Sequence, residues 1–86
     1  MLYLIQQLDF WWDADVWSSH CAWSSEYIAK SHREAKRLLH HFINTRPTLV
    51  CEWNGRETLA KGKANAEYWR AVPLKPGSWP DGFESR

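Results

Sequence analysis

Residues 2 to 12 alternate between two characters. The even positions Leu2, Leu4, Leu8, Phe10 and Trp12 are apolar, broken only by Gln6, while the odd positions run Tyr3, Ile5, Gln7, Asp9 and Trp11. Successive side chains leave a pleated backbone on opposite sides, so a period of two predicts a strand with one face turned inward. The even face is the more apolar and is expected to meet the core. Asp13, Ala14 and Asp15 follow. Aspartate competes with the backbone for hydrogen bonds, and the triplet predicts a turn. Beyond it, Val16 to Trp23 reads as a second short strand with Trp17, Ser19, Cys21 and Trp23 on one face.

The period then becomes helical. In SHREAKRLLHHFIN, Ser31 and Glu34 have capping-box spacing, Ala, Leu, Lys and Arg favour helix, and Pro47 closes the pattern after Arg46. No Gly or Pro interrupts residues 24 to 44, so the helix is expected to start early, capped by Ser24 or Ser25. Its apolar stripe is then Ile28, Ala35, Leu38, Leu39, Phe42 and Ile43. The alternative is an extended path from Glu26 to Lys30 feeding a cap at Ser31. TLVCEW at 48–53 reads as a strand, and Asn54-Gly55 predicts a two-residue type I′ hairpin. That register pairs Trp53 with Arg56, Cys51 with Thr58 and Val50 with Leu59, and it sets Glu52 opposite Glu57, a mildly unfavourable like-charge pair. Lys61 to Asn65 reads as a basic loop and EYWRAVPL at 67–74 as a last strand.

These elements predict an α+β fold, a small single domain over residues 1–74 in the order β(β)αβββ. An antiparallel sheet of about three to five strands is expected, with one principal helix packed on one face. Residues 75–86, rich in Pro and Gly, are expected to form an extended tail docked on the domain by Trp79 or Phe83.

Length bounds this picture to one modest core, because a chain of 86 residues buries only about 60 to 65% of its unfolded surface. Seven tryptophans compete for that interior, so some are expected to remain outside. Net charge is +1, which supplies no strong global attraction to nucleic acid or anionic membrane. The opening MLYLIQQL lacks a basic flank and is broken by Gln6 and Gln7, so neither a signal peptide nor a membrane span is expected. A cytoplasmic location follows, with Cys21 and Cys51 as free thiols.

Several chemistries fail on spacing. His40 and His41 point roughly 100° apart on a helix, and no HxxxH or CxxC pairs exist, so no metal site is expected. Imidazoles there interact with the helix C-terminal dipole instead. Asp13 and Asp15 alternate as in a calcium loop, but Trp17 takes the third ligand place and no closing Glu follows. Ser18, Ser19, His20 and Cys21 are neighbours without a nucleophile elbow, and Gly55, Gly62, Gly77 and Gly82 form no phosphate loop. No cofactor is expected.

Two features remain. Lys30, Arg33, Lys36, Arg37, His40 and His41 form an outer helix face, joined by Lys61, Lys63 and Arg70 near Tyr68 and Trp69. Basic residues beside aromatics can hold phosphates and stack on unpaired bases, while a charged outer helix face is also the ordinary solvated state. The second feature is the tryptophan surplus, since Trp, Tyr and Arg are the residues enriched in protein-interface hot spots. The leading expectation is a small intracellular non-enzymatic protein-binding module with Trp11, Trp17, Trp23, Asp13 and Asp15 as contact candidates. The alternative is an RNA or single-stranded DNA binder using the basic set. A weaker one is a nuclease or hydrolase using His20, His32, His40 or His41 with Glu52 or Glu57. Exposed sheet edges would also permit a homodimer. In size and absence of motifs the chain resembles phage or mobile-element inhibitors, anti-CRISPR proteins among them. That likeness implies action by occupying a larger protein's surface.

Overall fold

The computed structural model describes residues 1–74, so the expected C-terminal tail with Trp79 and Phe83 lies outside the described residues. Strand β1 (Leu2–Asp13) leads through a turn to β2 (Ser18–Ala29), helix α1 (His32–Thr45), strands β3 (Thr48–Cys51) and β4 (Glu57–Ala60), a 3-10 segment (Gly62–Tyr68) and strand β5 (Trp69–Leu74). The main sheet is antiparallel in the order β2-β1-β5, and β3 and β4 form a separate hairpin. The fold is α+β with one principal helix.

The expected turn after β1 is present but lies at Ala14–Trp17, so Asp13 ends the strand and Val16 and Trp17, expected to open the second strand, belong to the turn instead. Asp13 Oδ1 accepts the backbone N–H of Asp15 at 3.0 Å, so the side chain imitates a turn bond. Trp17 closes the turn at φ +50°, a left-handed conformation that costs a non-glycine residue about 1 to 2 kcal/mol.

The expected long helix is corrected. Residues 18–29 form one strand, in which Ser24, Ser25, Tyr27, Ile28 and Ala29 partner Gln7, Gln6, Ile5, Leu4 and Tyr3. Glu26 is the extra residue of a bulge between Ile5 and Gln6. Long-range pairing overrides the absence of helix breakers, and Tyr27 and Ile28 suit a strand. The helix starts instead at the alternative cap: Glu34 N–H donates to Ser31 Oγ at 3.1 Å and Ala35 N–H to Ser31 O at 2.9 Å.

The core face is corrected as well. Helix α1 lays Ala35 and Phe42 against Ile5, Ala29 and Trp69, with Tyr3, Leu38, Leu39, Ile43 and Ala71 around them. The helix therefore covers the odd face of β1. Residues paired across antiparallel strands share a face, so Ile5 stands between Tyr27 and Ala71, whereas Gln6 stands between Ser25 and Arg70. That polar row interrupts the even face, which keeps Leu4 buried but holds Leu2, Leu8, Phe10 and Trp12 only half-buried.

In the β3–β4 hairpin the register is one residue from the expected one. Cys51 partners Glu57, Val50 partners Thr58 and Leu49 partners Leu59. Glu52 N–H donates to Arg56 O at 2.8 Å and Gly55 N–H to Glu52 O at 2.9 Å, leaving Trp53, Asn54 and Gly55 as a three-residue loop. Asn54 Oδ1 accepts Arg56 N–H at 3.0 Å, and only Gly55, at φ +80°, takes the left-handed conformation. A type I′ turn needs that conformation at both central residues, so Asn54-Gly55 marks the loop without setting its length. Glu52 and Glu57 consequently do not face each other. The expected basic loop from Lys61 is the start of the 3-10 segment, anchored by buried Asn65.

Candidate contact surface

Strand β1 spans about 36 Å at about 3.3 Å per residue. Its partner β5 reaches only from Leu2 to Gln7. Residues 8–13 therefore continue past β5, paired with Ser18 to Trp23 as a two-stranded ribbon. An isolated ribbon is marginal in water, and here the β3–β4 hairpin backs it. Gln7 Nε2 donates to Thr48 Oγ1 at 3.1 Å, and Ser19 Oγ donates to Glu52 O at 3.2 Å. A methyl added at Gly55 would lie 3.4 Å from the indole nitrogen of Trp12. Two turns, Ala14–Trp17 and Trp53–Gly55, are thereby held at one end of the molecule.

That end is aromatic. Trp17 is 75% exposed and meets half-buried Trp12 edge-on, ring centroids 5.5 Å apart. Trp53 is 81% exposed on the neighbouring loop. Trp11, on the opposite face of the ribbon, is 47% exposed and stacked on His20 at 5.7 Å. Among the described tryptophans only Trp69 is buried. The surplus has gone to the surface, as the small core requires.

Of the residues expected to make contacts, Trp11, Asp13, Asp15 and Trp17 come together at this end. Trp23 does not join them: it lies back along the ribbon, half-buried, with the Arg70 guanidinium 4.0 Å over its ring. Arg70 Nε donates to Gln6 Oε1 at 2.7 Å, and Gln6 Nε2 to Ser25 Oγ at 3.3 Å. Trp53 was not anticipated, because the two-residue register paired it with Arg56. Its position beside Asn54-Gly55 was the available signal.

The basic residues are divided. Lys30, Arg33, Lys36, Arg37, His40, His41, Lys61 and Lys63 are exposed, but Arg70 pairs with Gln6 on the sheet face away from α1. Trp69, expected beside them as a stacking platform, is buried and stacked on Phe42 at 5.2 Å. Tyr68 is half-buried, edge-on to Phe10 at 5.4 Å.

The histidines and glutamates are likewise spread. His32 packs edge-on to Tyr3 at 5.8 Å, and His20 Nε2 lies 3.1 Å from Ser18 Oγ under Trp11. Among the described residues no three His, Cys, Asp or Glu side chains gather as a metal site requires. Nor is any helix of the described residues long and apolar enough to cross a membrane.

Cys21 and Cys51 are both free thiols, one exposed and one buried. Burial pushes the Cys51 thiol pKa up, and the Glu57 carboxylate adds to this by its charge and by accepting the thiol proton, Sγ to Oε1 being 3.8 Å. The thiolate is the reacting form. Alkylation of the native protein at mildly alkaline pH is therefore expected to label Cys21 well before Cys51, read by peptide mass mapping. Equal rates would contradict the burial of Cys51.

No family model, curated protein or solved structure matches the chain. The reading of its function rests on its own geometry.

Proposed function

We propose that the protein is a small non-enzymatic binding module, which occupies a surface of a larger protein with the distal end of the β1–β2 ribbon. The observation that carries this is the exposure of Trp17 and Trp53 on two hydrogen-bonded turns, with Trp11 exposed on the adjoining ribbon strand. Exposed indoles on a fixed scaffold lose little entropy when covered, which is what interface anchors need. Inhibition by occupancy is the action that suits such a body. Its two free thiols suit a reducing compartment, the cytoplasm.

The test begins with affinity capture from source cells under nuclease treatment, followed by titration of the purified partner. Trp17→Ala and Trp53→Ala are each expected to weaken Kd roughly thirtyfold, the change that about 2 kcal/mol represents at a hot spot. Their melting temperatures should stay near that of the parent. Unchanged affinity in both variants removes the reading.

A second reading has one observation in its favour, the exposed basic row Arg33, Lys36, Arg37, His40 and His41 on α1. If this row binds RNA or single-stranded DNA, log affinity falls linearly with log salt. Failure to retard oligonucleotides at low salt excludes it.

A further inference from the structure

The charges of the chain are sorted along its length, although they nearly cancel in total. At the distal end stand Asp9, Asp13, Asp15, Glu52 and Glu57, and among the described residues Arg56 is their only Lys or Arg counterpart there. All but Asp13 are exposed. Around the helix, the 3-10 segment and β5, Lys and Arg outnumber Asp and Glu. The aromatic end is thus also the acidic end.

Building on the reading that this end is the contact surface, we infer that its partner is a cationic protein segment, one presenting Arg or Lys side chains to Trp11, Trp17 and Trp53. Two physical terms converge on that class. Carboxylates attract the cations and raise the encounter rate, and the tryptophan faces hold them, since a guanidinium over an indole is stabilised by the ring quadrupole. The molecule contains one example of the second term, Arg70 over Trp23 at 4.0 Å. The same charges repel phosphates, so the distal end suits neither nucleic acid nor an anionic lipid surface. They also oppose an acidic protein face.

The experiment follows indole and backbone amide signals of the full chain by NMR during titration with three short peptides, alternating Arg and Gly, Glu and Gly, or Ser and Val. The Arg peptide is expected to shift the indole signals of Trp11, Trp17 and Trp53, and the Glu peptide to leave them still. Asp15→Asn combined with Glu52→Gln should weaken Arg-peptide binding roughly tenfold, and Trp17→Ala with Trp53→Ala by a similar factor at unchanged charge. The spectra report folding of each variant directly. Asp13 is left intact because it holds the turn. Equal shifts with the Ser-Val peptide would overturn the cationic partner but leave the distal end as a contact surface. Silence of the distal signals toward all three peptides would count against both. Arg-peptide binding that ignores the loss of Trp17 and Trp53 is diffuse attraction, and it too overturns the inference.

Discussion

Asn65→Ala is expected to lower the stability of the fold by about 2 to 4 kcal/mol, although it removes one small polar side chain. The amide is fully buried and spans three elements. Its Oδ1 accepts the N–H of Thr48 at 2.9 Å, while Nδ2 donates to the carbonyls of Ile43 at 2.9 Å and Arg46 at 3.2 Å. These groups belong to the last turn of α1 and the first residue of β3, on either side of Pro47. Helix C-terminal carbonyls lack intrahelical donors, and here a side chain from the 3-10 segment supplies them. Thr48 is 1% exposed, so water cannot take over its N–H when the acceptor is lost.

Asn65→Asp sharpens the test. The introduced carboxylate keeps the acceptor for Thr48 but points its second oxygen at two carbonyl oxygens. The charged form is therefore strongly disfavoured in the folded state, and the folded pKa of this group rises above its unfolded value. Relative stability is then retained below the unfolded pKa and lost as pH rises through the folded pKa. Urea denaturation should show the variant recovering toward acid pH, while Asn65→Ala keeps a constant deficit relative to the parent. Exposed Asn44→Ala serves as control, expected within about 0.5 kcal/mol. A loss below that size in Asn65→Ala would show that the amide does not clamp the helix end.

What was legible in the chain was local or periodic. The alternation of residues 2 to 12, the existence of a turn started by Asp13, the Ser31 cap and the existence of the 48–60 hairpin all follow from neighbours close in sequence. Where the reading failed, a distant partner decided. Ser24 to Ala29 have no helix breaker, yet their backbone groups are committed to β1, and which face of β1 meets the helix depends on what β2 and β5 set beside each residue. Ala71 beside Ile5 and Arg70 beside Gln6 give opposite faces, and neither adjacency is visible before the register is known. Asn65 was invisible for the same reason. The arrangement of the aromatic end was half legible: Trp11 was placed on the face opposite Phe10 and Trp12 from alternation alone, whereas Trp53 depended on a loop length that differed by one residue.

Trp69 supplies the second large effect, and it tests the same question on the opposite side. Phe42→Ala and Trp69→Ala are each expected to cost about 3 to 5 kcal/mol, a large part of the stability of a domain this small. The two rings stack at 5.2 Å with planes 29° apart, and the Arg46 guanidinium covers Phe42 at 4.5 Å. Because the rings share one contact, the double variant should lose measurably less than the two single losses together. Trp69→Phe separates size from polarity. The indole N–H of Trp69 is buried without an acceptor among the described residues, so the benzyl ring removes an unsatisfied donor while keeping most of the stack. Its expected loss is under about 1.5 kcal/mol, well short of Trp69→Ala. Equal losses in the two variants would mean that the indole is held by more than its ring. Trp69, Trp17 and Trp53 are the same residue type with opposite assignments, one to stability and two to contact. Substitution at the first should lower the melting temperature, and at the other two it should leave melting unchanged while binding falls, so one set of variants separates a tryptophan core from a tryptophan surface.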